Sequence, residues 1–212
     1  DAINNYSRSI KVDPRYIDAY NNLASILSET EANLFSEKIA NMYLNVLNYQ
    51  TRLRPASLAR PIAAFLKFHH HLAPVFDSNK KSLLIANPLG LCINLSKIPL
   101  LLQIMQLFPI PELEMEELLS TLRRELLYRY DELPRSKDLL SFQCALAMQC
   151  FTNEYIYGET EEETLAIKEL EAKIDKAFSS REELCSYDIA CLASYRPLYS
   201  YSWARDMAPR DG

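Results

Sequence analysis

FQCALAMQCFTNEYIYGETEEE, residues 142–163, decides how this chain is read. The stretch carries two cysteines six apart, then Asn153, Glu154, two tyrosines and a block of acids. Two readings compete: a reactive or metal-binding site, or a buried helix followed by the start of another. On a helix, residues six apart are separated by about 600°, so Cys144 and Cys150 diverge by roughly 120° and do not converge on one metal. Leu140, Phe142, Ala145, Leu146, Ala147, Met148 and Phe151 surround them, apolar almost all round. That pattern belongs to a helix in the centre of a helical domain, where a free cysteine acts as a small hydrophobe. Both thiols are therefore expected in the core. Nucleophilic catalysis needs a neighbouring base and an electropositive setting, and no histidine is local. Thr160 and Glu163 have the spacing of a capping box, so the acidic half opens the next helix. What stays chemically open is the end of the first helix. Asn153, Glu154 and Tyr157 either bond to neighbouring helices or line a cleft.

Outward from this stretch the helical period continues in both directions. Apolar spacing, caps and prolines predict helices over residues 1–12, 16–27, 32–48, 62–72, 96–108, 111–130, 136–157, 161–178 and 181–195. Asp13-Pro14 ends the first, because proline disfavours a helical residue before it. Ser96 and Ser136 are expected caps, Pro99 and Pro111 suit first turns, and Ser180 with Glu183 has the spacing of a second capping box. The basic, proline-punctuated TRLRPASLARP at 51–61 reads as a junction. Residues 74–88 read as a connector, with LLIA at 83–86 a brief extended piece, and the tail from Leu198 has no clear period.

Composition narrows the function classes. The 212 residues suit one large domain or two small ones, and 49% hydrophobic with 24% charged residues is enough for a real core. A net charge of −5 argues against a nucleic-acid partner. Only three glycines occur, at 90, 158 and 212, which leaves no glycine-rich loop for a nucleotide phosphate and disfavours a turn-rich sheet fold. The five cysteines are odd in number, have no C-x-x-C spacing and follow no signal peptide, so a reduced, cytoplasmic setting is expected. The longest apolar region, 82–108, is interrupted by Pro88, Gly90, Asn94, Lys97 and Pro99, so no membrane span is expected. His69, His70 and His71, placed on a helix, would point about 100° apart, and H-E-x-x-H spacing is absent, so no metal site is expected. The chain opens on Asp1 inside a helical pattern, which reads as a fragment of a longer protein.

The first two helices have a more specific spacing. Ala2, Tyr6, Ser9 and Pro14, followed by Tyr20, Leu23, Ala24 and Leu27, resemble the junction between two tetratricopeptide repeats, with DPRYIDAYNNLA at its centre. Small residues let paired helices approach, and Tyr6, Tyr20 and Leu23 fill the space between them. Ala40, Leu44 and Leu47 fit a further repeat helix only with an insertion, so an array is expected to end near residue 54. In such arrays inner helices point asparagines into the groove to bond a peptide backbone. Asn22 holds that position; the plainer reading is a solvated or capping asparagine.

LSFQCALAMQCFTNEYIYGETEEE, 140–163, is similar to a segment of bacterial proteins that join tetratricopeptide repeats to a class I S-adenosylmethionine-dependent methyltransferase domain. PELEMEELLSTLRRELL, 111–127, resembles that family's helix upstream, and SYDIACLASYRPLYS, 186–200, its helix ending in a Tyr-Arg-Pro-Leu turn. The resemblance covers most of 83–205. It implies a non-catalytic region between repeats and methyltransferase, with the catalytic domain C-terminal of Gly212 and no cofactor residue to carry over.

The expected fold is all-α: tetratricopeptide-like hairpins of an α-α superhelix over 1–54, then an all-helical domain over 55–212. The expected function is a non-catalytic scaffold without cofactor or metal, whose partner is a protein, a peptide or a methyltransferase domain of the same polypeptide. The rival is a helical small-molecule-binding or enzymatic domain with a cleft near Asn153, Glu154 and Tyr157.

Overall fold

The computed structural model describes residues 2–49, 51–77 and 86–207. Among them are twelve α-helices and no strand. The first half runs α1 (Ala2–Val12), α2 (Ile17–Glu29), α3 (Glu37–Leu47), α4 (Ala59–Leu66), α5 (Ala73–Phe76), α6 (Pro88–Leu95) and α7 (Pro99–Leu107). The second half runs α8 (Leu113–Tyr128), α9 (Lys137–Thr152), α10 (Glu161–Ser179), α11 (Ser186–Ala193) and α12 (Ser202–Met207).

α1, α2 and α3 pack in succession, and α3 leads into α7. Ala19 and Ala24 are fully buried on α2, while Ala2 is exposed. Tyr20 stacks on Tyr49, rings 3.9 Å apart and nearly parallel, which ties α2 to the end of α3. The segment after α3 is packed as well. Pro55–Leu58 forms a 3-10 turn that runs directly into α4, with Pro61 in the first turn of that helix, where its missing N–H costs nothing. The apolar core crosses residue 54 without a break, one cluster extending from Ile10 to Tyr157. α9 lies at its centre and packs on α6, α7 and α11.

A second cluster gathers Leu127, Ile167, Leu170, Ile174, Cys191, Leu192, Tyr195 and Trp203. α8 serves both: Met115, Leu118, Leu119, Leu122 and Leu126 face the first, and Leu127 the second. Trp203 brings α12 into this core, a helix the tail's aperiodic sequence did not announce.

Several boundaries differ from the sequence reading, each for a local reason. α3 starts at Glu37, five residues late, because Ala32–Phe35 turns aside and the Phe35 ring packs on Phe65 and His69. α6 was not anticipated. Asn87 caps it, its side chain accepting the Gly90 N–H at 3.1 Å, and Pro88 occupies the first turn. Ser96 ends α6 instead of starting α7. Glu112, one residue past Pro111, caps α8 by accepting the Met115 N–H at 2.9 Å. α9 stops at Thr152, five residues short of 157, and α11 starts at Ser186 with no Ser180 box. Both of these last changes come from left-handed helix ends described below. The LLIA expectation falls at residues 83–86, of which 83–85 lie outside the described residues.

Among the described residues no single helix is long and apolar enough to cross a membrane. α6 and α7 together reach that length, but the chain turns 90° between them.

Candidate functional site

The loop after α9 is a designed stop. Asn153 ends the helix, and Glu154 follows with φ 58°. The Tyr155 N–H donates to Cys150 O at 2.8 Å and the Glu154 N–H to Phe151 O at 3.1 Å. This is a Schellman motif with Glu154 in the position that usually takes glycine. Tyr155 is left-handed too, φ 57°, and is held by its surroundings. Its ring meets Phe151 edge-on at 6.5 Å, and its hydroxyl donates to Ala193 O at 3.3 Å. The reversal turns Ile156, Tyr157 and Gly158 back along α8.

Beneath the loop sits a polar knot inside the apolar core. Arg123 is 1% exposed; its Nη2 donates to Gly158 O at 2.9 Å and to Tyr157 O at 3.4 Å. The guanidinium lies over the Tyr195 ring at 4.1 Å and the Tyr157 ring at 5.4 Å. Its negative partner is Glu163, fully buried, 3.8 Å away. Glu163 closes the capping box: Oε2 accepts the Thr160 N–H at 2.9 Å while its own N–H donates to Thr160 Oγ1 at 3.1 Å. The other oxygen, Oε1, accepts the Tyr195 hydroxyl at 2.8 Å. One carboxylate thus fixes the start of α10, the end of α11 and the charge of Arg123. Burial pushes the Tyr195 and Tyr157 hydroxyls well above the usual tyrosine range, so both are neutral.

The residues singled out in the sequence fall in three different settings. Asn153 and Tyr157 are buried in this loop, 7% and 8% exposed, and neither the Asn153 Oδ1 nor the Tyr157 hydroxyl makes a hydrogen bond. Glu154 is exposed. Asn22 is exposed on α2, which packs on α1, α3 and α4, whereas the loop packs on α8 and α11. It is Asn21 that makes the structural contact there, its Oδ1 accepting the Arg52 N–H at 2.7 Å.

Tyr157 is the one of these four on the floor of an open groove of about 540 Å³. Leu113, Glu116, Glu117, Ser120, Thr121 and Arg124 of α8 form one wall, and Ile156, Tyr157 and Gly158 the other. Leu113 and Ile156 stand 69% and 68% exposed at its rim. Glycine at 158 has open space where a side chain would be, so the groove mouth is left unfilled.

The cysteines divide. Cys92, Cys150 and Cys191 are buried, and burial raises the Cys150 and Cys191 thiols to about 12, which makes them inert. Cys144 is exposed, against expectation. The apolar all-round pattern hid a solvent stripe of Ser141, Cys144, Met148 and Phe151, which recur at helical spacing on one face of α9. The histidines also differ from expectation. Residues 69–72 form a turn, not a helix, so the 100° argument does not apply. The rings pile together, His69–His70 at 4.3 Å and His70–His71 at 4.0 Å. Among the described residues no group of three or more His, Cys, Asp or Glu is arranged to hold a metal ion.

Comparison with protein-family models, curated proteins and solved structures finds no match to this chain.

Proposed function

We propose that this chain is a non-catalytic protein-interaction scaffold, the N-terminal region of a larger tetratricopeptide-repeat, methyltransferase-like protein. The observation that carries the interaction reading is the groove beside α8. Leu113 and Ile156 are large apolar side chains left more than two-thirds exposed on opposite rims of one open channel. Apolar rims around a polar floor are the form of a recognition surface. The Glu116 carboxylate between them favours a partner segment that pairs apolar side chains with a lysine or arginine. Residues 2–29 are read as a repeat junction. The burial of Ala19, Tyr20, Leu23 and Ala24 on α2, a helix that packs on α1 and α3, supports that reading.

A peptide-display selection on the purified chain tests the groove. It should enrich segments with an apolar residue a few positions from Lys or Arg, and a Leu113→Asp, Ile156→Asp double variant should lose them. Failure to enrich, or binding untouched by the double variant, overturns the proposal. Calorimetric titration with S-adenosylmethionine should give no binding heat, and micromolar affinity would sink the non-catalytic part.

A further inference from the structure

A second cavity, separate from the α8 groove, has the groups of a small-molecule site. It lies where the first turn of α3, the 69–72 turn and the start of α7 meet, and measures about 270 Å³. Phe35, Leu44 and Leu100 supply apolar walls; Glu37, Asn41, His69 and Lys97 supply polar groups. His69 is 4% exposed and lines the cavity. Its Nδ1 is occupied, accepting the His71 N–H at 3.1 Å. That bond puts the proton of the neutral ring on Nε2. Burial and the neighbouring His70 and His71 lower its pKa to about 4, so the neutral ring is the form at pH 7. Nε2 has no hydrogen-bond partner among the described residues, which leaves an unpaired N–H donor on a side chain that lines the cavity.

The surroundings match that donor. α3 and α7 both begin at the cavity, and neither Ser36 nor Ile98 caps its helix with a side chain. Their positive ends and the Lys97 ammonium favour a carboxylate beside His69. Glu37 and Asn41 make no hydrogen bond or ion pair with other described residues, and a carboxylate in the same cavity calls for a cation. The volume is that of a small ligand, slightly below the usual range for drug-sized molecules.

We propose that this cavity binds a free α-amino acid with an apolar side chain. His69 Nε2–H and Lys97 hold its carboxylate, Glu37 its ammonium group, and Phe35, Leu44 and Leu100 its side chain. The site is independent of the α8 groove and is expected to work whether or not that groove binds a peptide.

NMR titration of the isotope-labelled chain with L-leucine and L-phenylalanine tests this. Saturable shifts of the His69 ring and of residues 97–100 are expected, with dissociation constants on the order of millimolar or tighter. Lys97→Met should weaken binding about tenfold or more. Glu37→Gln should weaken the amino acid while leaving its deaminated acid unchanged. Both positions are exposed, so these variants should keep the fold, checked by circular dichroism. His69→Phe preserves the ring packing on Phe35 and should remove binding. Absence of saturable shifts at about 10 mM, or binding indifferent to both Lys97→Met and Glu37→Gln, overturns the proposal.

Discussion

A single residue, Glu163, shows how one side chain joins local and tertiary structure. Tyr195→Phe removes one of its hydrogen bonds and leaves a buried oxygen short of a donor, which should cost about 1–2 kcal/mol in urea unfolding. Arg123→Met removes the buried one of the two guanidinium groups beside Glu163, leaving only the more exposed Arg124 at 3.6 Å, and should cost about 3 kcal/mol, whereas the pair Arg123→Met, Glu163→Gln should recover part of that loss. Strict additivity of the two changes would show that the charges do not act as a pair. The capping-box half of this role was legible from Thr160-x-x-Glu163, because it depends on spacing alone. The Tyr195 and Arg123 half was not, because it depends on side chains 32 and 40 residues away meeting in space. His69 offers a pH test at the same scale. Its folded pKa, about 4, lies below the unfolded value near 6.5, so the unfolded chain binds more protons between them. Its contribution to stability should be complete above pH 6.5 and decline as pH falls towards 4, by about 3 kcal/mol at most. Denaturant midpoints across that window should flatten in His69→Phe; an identical slope in the variant would assign the effect to other groups.

At the scale of elements, the helices were easier to read than their ends. The core face of α8 follows from apolar period, and the α10 start from its box, whereas the solvent stripe of α9 was hidden by its apolar exposed residues. The end of α9 and the start of α11 did not follow, because α9 and α10 each close on a left-handed residue that is not glycine. Glu154 and Arg181 have φ near 58°, and both sit in Schellman geometry, the Glu182 N–H donating to Ala177 O at 2.9 Å in the second. A sequence scan for glycine passes over them. Glu154→Gly should therefore stabilise by about 0.5–1 kcal/mol, and Glu154→Val should destabilise by about 1–2 kcal/mol. Equal thermal midpoints for the two variants would count against the strained-turn account. α6 was missed for the opposite reason: Asn87-Pro88 is a good helix start, but Pro88 and Gly90 were read as breakers. The all-α class needed neither detail.

For the whole molecule, thiol chemistry gives a direct map. Cys144, the exposed thiol, should react with a thiol reagent under native conditions, more slowly than a free thiol because partial burial raises its pKa. Cys92, Cys150 and Cys191 should react only on unfolding; rapid loss of all five thiols in the native state would contradict the packing. The two apolar clusters meet at one helix. Leu126 belongs to one and Leu127 to its neighbour, and Arg123, between two turns of the same helix, binds the loop that joins α9 to α10. α8 is therefore a party wall, and a wall shared by two rooms cannot be taken down for one of them. Its amides should be among the slowest to exchange with deuterated water, at a rate set by global unfolding. α1, which buries only Ile10, should exchange far sooner, so that the exchange map shades from α1 towards residues 118–127.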